Sequence, residues 1–445
     1  MGVITRFAPS PTGYLHIGNI RTAIVNWLFT RKNNGKFMLR MDDTDLQRSK
    51  QEYADAIIRD LKWLGLDWDI FAKQSDRLDR YNEVKQQLIK DGRLYACYET
   101  AEEIEIKRKM QLSRGLPPIY DRAALKLTSE QISNFEKEGR KPHYRFKMLE
   151  NDIKWNDLVR GEVKFNGAHI SDPIVIREDS SMTYILCSVI DDIDYNITNI
   201  IRGEDHISNT AIQIQIFEAL NAMIPTFAHT SHIVSKEGKI SKRLGGFDIA
   251  SLREDTMEPM TICSFFSKIG TSDPVEVRKS LSELVNDFDI SKFSRSAANY
   301  EQQELVDLNH KLVSQLSFND VKDKLISLGM DKVNELFWDA IKGNINLLKD
   351  SREWYDICFN KVKPLIENPE LINIAIQTLP SEPWNLETWP SWIKEIQQKT
   401  DLKGKNLFMP LRKALTGLKH GPELKMLLVL IGSDKALGRL KGNEA

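Results

Sequence analysis

The chain has 445 residues, 62 basic against 63 acidic side chains, a formal net charge of −1 and 41% hydrophobic residues. This length exceeds one ordinary core and the composition is that of a folded globular protein, which excludes a disordered or fibrous chain. The near-zero charge excludes a wholesale polyanion binder, so any contact with nucleic acid must come from a local basic face.

Residues Val3 to Ala8 read as a short strand that feeds a Pro/Gly loop, Pro9-Ser10-Pro11-Thr12-Gly13. Ile20, Ala23, Ile24, Trp27 and Leu28 then recur at the spacing of one buried helix face, and Asn33-Asn34-Gly35 stops that helix. Phe37 to Met41 reads as a second strand, followed by a helix from Ser49 to Leu64 stopped by Gly65. Strand, helix, strand, helix opens a parallel α/β sheet. From Asp91 to Asp179 the pattern breaks into a charged helix at Glu102–Arg114 and short mixed segments such as His143–Lys147 and Ile174–Arg177, the signature of an insertion. Thr183 to Ile190 and Asn199 to Ile201 read as strand-like runs, and Asp205–Leu220 as an amphipathic helix. Beyond Ser251 the pattern is helical, at Leu281–Val285, Val321–Leu328, Asn334–Leu348, Leu371–Gln377 and Glu423–Ile431, with Pro380, Pro383 and Pro390 at a junction. No targeting segment opens the chain, and the late apolar run from Met426 to Ile431 is far short of the ~20 residues that span a bilayer. A cytoplasmic protein without membrane contact is expected.

Two motifs carry chemistry. His16-x-Gly18 starts a helix after a strand and a glycine loop, where unpaired backbone N–H groups and partial positive charge favour a phosphate. Gly18 would admit a close backbone approach, and His16 would donate to the α-phosphate. Lys239-Ile240-Ser241-Lys242-Arg243, followed by Gly245-Gly246, sets three cations beside flexible glycines, which suits a loop closing on a triphosphate. Each motif is weak alone: a turn explains the first and a solvated basic loop the second. Their combination is specific.

This pair resembles the HIGH and KMSKS elements of class I aminoacyl-tRNA synthetases. The stretches Thr5 to Gly13, Leu15 to Gly18, Arg21-Thr22-Ala23, Leu39 to Asp45, Val189 to Asp192, Ile201 to His206 and Ile240 to Arg243 are similar to glutamyl-tRNA synthetases in particular. Near the C-terminus, Leu411 to Gly417 and His420-Gly421-Pro422 fit more loosely. The resemblance implies an α/β class: a Rossmann-type parallel-sheet catalytic domain with an inserted α+β domain, followed by all-α C-terminal domains. It divides the chain into catalytic halves at 1–90 and 183–235, an acceptor-stem insertion at 91–182, a stem-contact region with the basic loop at 236–308, and helical anticodon-binding domains at 309–375 and 376–445.

The implied reaction joins L-glutamate to the terminal adenosine of tRNA-Glu and/or tRNA-Gln through glutamyl-adenylate, with ATP and Mg²⁺. His16, Lys242 and Lys239 would act on the reacting phosphates, with Gly18 and Ser241 completing the ATP site. Arg6, Ala8, Ser10, Asp42, Tyr184, Ser188 and Arg202 would hold glutamate, Arg202 taking its side-chain carboxylate through a bidentate fork. A monomer is implied. Trp338, Trp354, Phe359 and Trp392 could stack anticodon bases, but aromatics at helical spacing more often form core.

The chain departs from the family pattern in places. Asp42 stands where Glu is common, Ser188 where some relatives have Asn, and Asn19 where the generic motif has a second His. Some relatives bind zinc in the insertion; here Cys97-Tyr98-Glu99 supplies one thiol and Tyr120-Asp121-Arg122 none, so no structural zinc is expected. The four cysteines, Cys97, Cys187, Cys263 and Cys358, are scattered, and reduced thiols are expected. Three other readings compete: a small-molecule nucleotidyltransferase, a shortened paralogue that glutamylates a modified tRNA base, and an RNA-binding relative without activity. The long helical half opposes the first two, and the intact His16, Gly18, Lys239 and Lys242 oppose the third.

Overall fold

A computed structural model describes residues 2–45, 47–235 and 248–445. The chain divides into two compact units, one formed by Met1–Ser251 with Ile262–Glu301, the other by Leu252–Thr261 with Gln302–Ala445. Lys239, Ser241 and Lys242 lie outside the described residues.

The first unit opens with β1 (Ile4–Phe7), α1 (Ile17–Lys32), β2 (Lys36–Met41), α2 (Gln51–Trp63), β3 (Ile70–Lys73) and α3 (Leu78–Lys90). The strands pair parallel in the order β1-β2-β3. Helix α1 buries Ile20, Ala23, Ile24, Trp27 and Leu28, the face that the periodicity predicts. Helix α2 ends at Trp63, before Gly65 turns the chain at φ +75°, a conformation that glycine adopts without a Cβ penalty.

The inserted region holds β4 (Leu94–Cys97), α4 (Ala101–Ser113), α5 (Ser129–Lys137), β5 (His143–Phe146), β6 (Asp152–Asp157), β7 (Gly161–Asn166) and β8 (Ile174–Ile176). β4, β5 and β8 make an antiparallel sheet and β6–β7 a hairpin. Thr100 and Thr128 cap α4 and α5 with reciprocal bonds to Glu103 and Gln131, the local signal that starts a helix in so polar a stretch.

The sheet resumes after α6 (Tyr184–Asp194) with β9 (Asn199–Gly203), α7 (Ile207–Ala219) and β10 (Thr226–Thr230). β9 and β10 pair parallel, and the Thr198 N–H donates to the Ile4 carbonyl at 2.9 Å, which sets β9 beside β1. Strands therefore grow outward from β1 on one side and from β9 on the other. The β1/β9 junction is a topological switch point, where open parallel sheets present ligand sites at their carboxyl ends. Two short strands, β11 (Ile233–Ser235) and β12 (Ala298–Tyr300), pair parallel at the edge of the unit.

Two elements differ from expectation: β12 is a short strand beyond Ser251, where the pattern reads as helical, and one expected strand is a helix. The run from Thr183 to Ile190 is the helix α6, not a strand. Its apolar and β-branched residues favour either form, and periodicity over so short a run does not decide between them. The fold decides, because Leu186, Cys187, Val189 and Ile190 bury in the core while Asp191 and Asp192, one helical turn along, meet arginines.

The second unit is helical among its described residues, and its core includes Phe337, Trp338, Trp354, Trp392, Leu411 and Leu428. Trp338 and Trp392 are fully buried, Trp354 nearly so, and Phe359 packs against the same cluster. The three tryptophans are core residues, and Phe359 lies partly buried against them. The predicted helix Asn334–Leu348 is shorter, ending at Ile341. Pro390 sits in the first turn of the helix Thr388–Gln398, where proline is tolerated.

Candidate active site

A cavity of about 730 Å³ opens at the carboxyl ends of β1, β9 and β10. Arg6, Ala8, Ser10, His16, Gly18, Asp42, Tyr184 and Arg202 all line it. Eight of the sequence-predicted positions are thus brought together from segments spread across the first 202 residues.

His16 is the N-cap of α1, with extended backbone at φ −86° and ψ 166°. Its Nδ1 accepts from the backbone N–H of Gly18 at 3.1 Å and of Asn19 at 3.4 Å. Those bonds fix the tautomer, leaving the proton on Nε2, and desolvation by its surroundings lowers the imidazole pKa. The ring is a neutral donor at the mouth of the helix. Two first-turn N–H groups expected to be open to a phosphate are therefore taken by the histidine itself. The structure also places a further demand on Gly18: a Cβ there would lie 2.9 Å from His16 Cε1 and 3.1 Å from Nδ1.

At the cavity floor runs a buried ladder of charge. Arg6 Nε donates to Asp192 Oδ1 at 3.2 Å, and Arg40 Nη1 donates to the same oxygen at 2.8 Å. Arg40 also forks onto Asp42, with Nε at 2.6 Å from one oxygen and Nη2 at 3.2 Å from the other. Burial pushes the Asp42 carboxyl up to about 6, while the guanidinium of Arg40 favours its ionised form. Asp191, beside it, accepts from Gln74, Arg77 and Tyr81.

Arg202 is arranged differently. It is 5% exposed, yet its partners are neutral: Tyr184 Oη at 2.6 Å from Nη1, and Thr210 Oγ1 at 2.6 Å and Gln213 Oε1 at 2.7 Å from Nη2. His229 Nε2 lies 3.4 Å from its Nε. Among the described residues no carboxylate comes within ion-pair distance of this guanidinium. A buried cation without an anion is costly, and one Nη1 hydrogen, beside the Tyr184 hydroxyl, remains unassigned at the cavity wall.

Ser188 does not line the cavity; it is fully buried and accepts from Gln213 Nε2 at 2.8 Å. Thr210, Gln213, His229, Arg40 and Asp192 were not singled out as site residues from the sequence. Two signals exist for them in the sequence: Arg40 lies in the quoted stretch Leu39 to Asp45, and Asp192 in the quoted stretch Val189 to Asp192.

Away from the cavity, Cys97 in β4 pairs with His143 in β5, and with Glu99 they bring ligand atoms within 4.8 Å of one another. Tyr120 donates to Glu99 Oε1 at 2.7 Å and Lys107 lies 3.3 Å from it. Burial pushes the Cys97 thiol up to about 12 and the His143 imidazole down to about 4. The trio offers three donors where a closed structural zinc site takes four, so the described residues do not fit one.

The parallel sheet with its switch-point cavity, entered by a histidine-capped helix, matches one family by sequence as well as by form. Residues 2–311 match the tRNA synthetases class I (E and Q), catalytic domain, residues 338–443 match an anticodon binding domain, and the chain belongs to this class I synthetase family. Among its relatives, glutamate–tRNA ligase 1 of Rickettsia bellii (strain OSU 85-389) is 54% identical over 441 residues, 98% of this chain and 99% of that protein. Glutamate–tRNA ligase 1 of Rickettsia prowazekii (strain Madrid E) is 55% identical, covering 98% of each chain. The crystal structure of a glutamate tRNA ligase from Elizabethkingia meningosepticum in complex with its amino acid superposes with a TM-score of 0.87 at 26% identity, over 99% of both chains.

Proposed function

We propose that this chain joins L-glutamate to the 3′-terminal adenosine of a tRNA in two steps, using ATP. The observation that carries the reading is Arg202, a buried guanidinium on the cavity wall whose close partners are all neutral. A substrate side-chain carboxylate supplies the missing charge beside Tyr184, whose Oη lies 2.6 Å from Arg202 Nη1 and 3.4 Å from His206 Nδ1. Glutamine would place a neutral amide there and leave the cation unpaired. The names of the relatives, glutamate–tRNA ligases, agree.

In the first step the glutamate α-carboxylate attacks the α-phosphorus of ATP, and pyrophosphate leaves. In the second a ribose hydroxyl of the terminal adenosine attacks the adenylate carbonyl, and AMP leaves. Mg²⁺ enters with ATP as part of the substrate. No covalent enzyme intermediate is needed, so positioning and charge stabilisation supply the rate. Arg6 and Asp42 face the amino-acid end, with Ala8 and Ser10 lining it. His16 Nε2–H donates to the α-phosphate beside Gly18. Lys239, Ser241 and Lys242 serve the departing pyrophosphate; in support, Ile233 on one side of their segment lines the cavity, and Asp248 on the other pairs with His16.

In this reading 1–90 and 183–235 form the catalytic halves, 91–182 meets the acceptor stem, 236–308 continues the stem contact, and 309–375 and 376–445 read the anticodon arm. The chain works as a cytoplasmic monomer without structural zinc, and no helix among the described residues is long and apolar enough to cross a membrane. Charging purified tRNA-Glu and tRNA-Gln in parallel with labelled glutamate or glutamine tests it. Glutamate is expected on tRNA-Glu, on tRNA-Gln or on both; transfer of glutamine in its place, or of neither amino acid to either tRNA, defeats the reading. Stoichiometric zinc in the purified protein would contradict the metal-free insertion.

A further inference from the structure

We propose that Asp157 and His229, neither of which lines the cavity, are positioning residues that fix the orientation in which Arg202 meets a substrate carboxylate. This rests on the reading of Arg202 given above. Asp157 ends β6, in the inserted hairpin, and His229 lies in β10; both side chains are fully buried. Asp157 Oδ1 accepts backbone N–H groups from Val159 at 3.0 Å, Arg160 at 3.0 Å and His229 at 3.1 Å. Its other oxygen lies 2.6 Å from His229 Nδ1. An ionised carboxylate only accepts, so the imidazole proton sits on Nδ1 and Nε2 presents a lone pair.

That lone pair meets Thr210 Oγ1 at 2.9 Å and Arg202 Nε at 3.4 Å. The threonine hydroxyl, which also lies 3.1 Å from the His206 carbonyl, donates to the closer Nε2 and keeps its own lone pairs for Arg202 Nη2, 2.6 Å away. Every bond from Asp157 to Arg202 thus takes its direction from one carboxylate. A proton on Nε2 instead would aim a donor at the Arg202 Nε–H and turn the threonine hydroxyl to the His206 carbonyl. Phe227 stacks on the imidazole at 14° and Trp155 lies against it, so the ring has little room to turn away. The hairpin therefore shapes amino-acid recognition without touching the amino acid.

Asp157→Asn tests this. Because Oδ1 serves three backbone donors, the amide oxygen takes its place and the amide NH₂ faces His229 Nδ1. The imidazole must then move its proton to Nε2, toward Arg202. In full-length protein the glutamate KM is expected to rise about tenfold or more, with kcat and the ATP KM within about twofold. In ¹⁵N-histidine-labelled protein, one ring is expected to change from the Nδ1–H to the Nε2–H pattern. Thr210→Val breaks the same chain at its next link and is expected to raise the glutamate KM similarly; it decides alone if Asp157→Asn does not fold. Arg202→Ala runs in parallel. A raised glutamate KM in Arg202→Ala but not in the folded test variants overturns the positioning role only. An unchanged KM in all of them removes the assignment of Arg202 as well.

Discussion

Gly18 shows how much one hydrogen decides. His16 reaches back over the first turn of α1, and the space it occupies exists because residue 18 has no Cβ. Alanine there is a better helix former by about 1 kcal/mol, and displacing the His16 cap costs about as much, so Gly18→Ala should change stability in thermal unfolding by no more than about 1 kcal/mol. The methyl group must nevertheless displace the imidazole, since the contact at 2.9 Å is too short to keep. ATP–pyrophosphate exchange, measured with tRNA present, is expected to fall about a hundredfold, the cost of losing one charge-stabilising donor. Activity equal to that of the parent would show that His16 does its work from another position. The generic motif hides this reason for its glycine: in sequence it is a permissive residue, and only the cap geometry shows what it makes room for.

At the scale of elements, α6 is where sequence reading and fold part company. Its apolar run is compatible with a strand, yet a strand would send Asp191 and Asp192 to opposite faces. As a helix it delivers both to the arginine cluster, where Asp192 bridges Arg6 of β1 and Arg40 of β2. The outline of the sheet, the insertion and most of the cavity lining were legible because helix stops, glycine loops and quoted motifs are local signals. The supports of Arg202 were not, because Asp157, Thr210, Gln213 and His229 come from β6, α7 and β10 and are polar residues with no pattern of their own. Asp192→Asn keeps the shape and removes the charge between two buried cations. It is expected to destabilise the protein by about 3 kcal/mol in urea unfolding, and a loss under about 0.5 kcal/mol would show that Asp191 and Asp42 already balance both arginines. The β4-β5-β8 sheet makes a separate prediction. His143 is held neutral with its pKa near 4, where the unfolded chain takes up a proton near 6.5. Between those values the unfolded state binds more protons, so stability falls as pH falls. His143→Gln should flatten the decline in unfolding free energy between about pH 6.5 and 4, and an unaltered slope would place the acid sensitivity at other histidines.

For the whole molecule, the distribution of charge matters more than its sum. A net charge of −1 gives no general attraction to RNA, while the amino-acid cavity keeps its ion pairs buried and close to neutral apart from Arg202. The two substrates should therefore respond differently to salt. Contacts to tRNA phosphates release counterions, and for a single-stranded polyelectrolyte the slope of log affinity against log salt is about −0.7 per contact. If roughly four phosphates are held, raising salt from about 50 to about 200 mM should raise the tRNA KM about fiftyfold. Salt screens exposed charges over about 10 Å but reaches buried pairs far less, so the glutamate KM at saturating tRNA should change by less than about threefold. Parallel rises in both constants would mean that Arg202 meets its ligand in open solvent, and the buried cation could no longer be what selects the acidic amino acid.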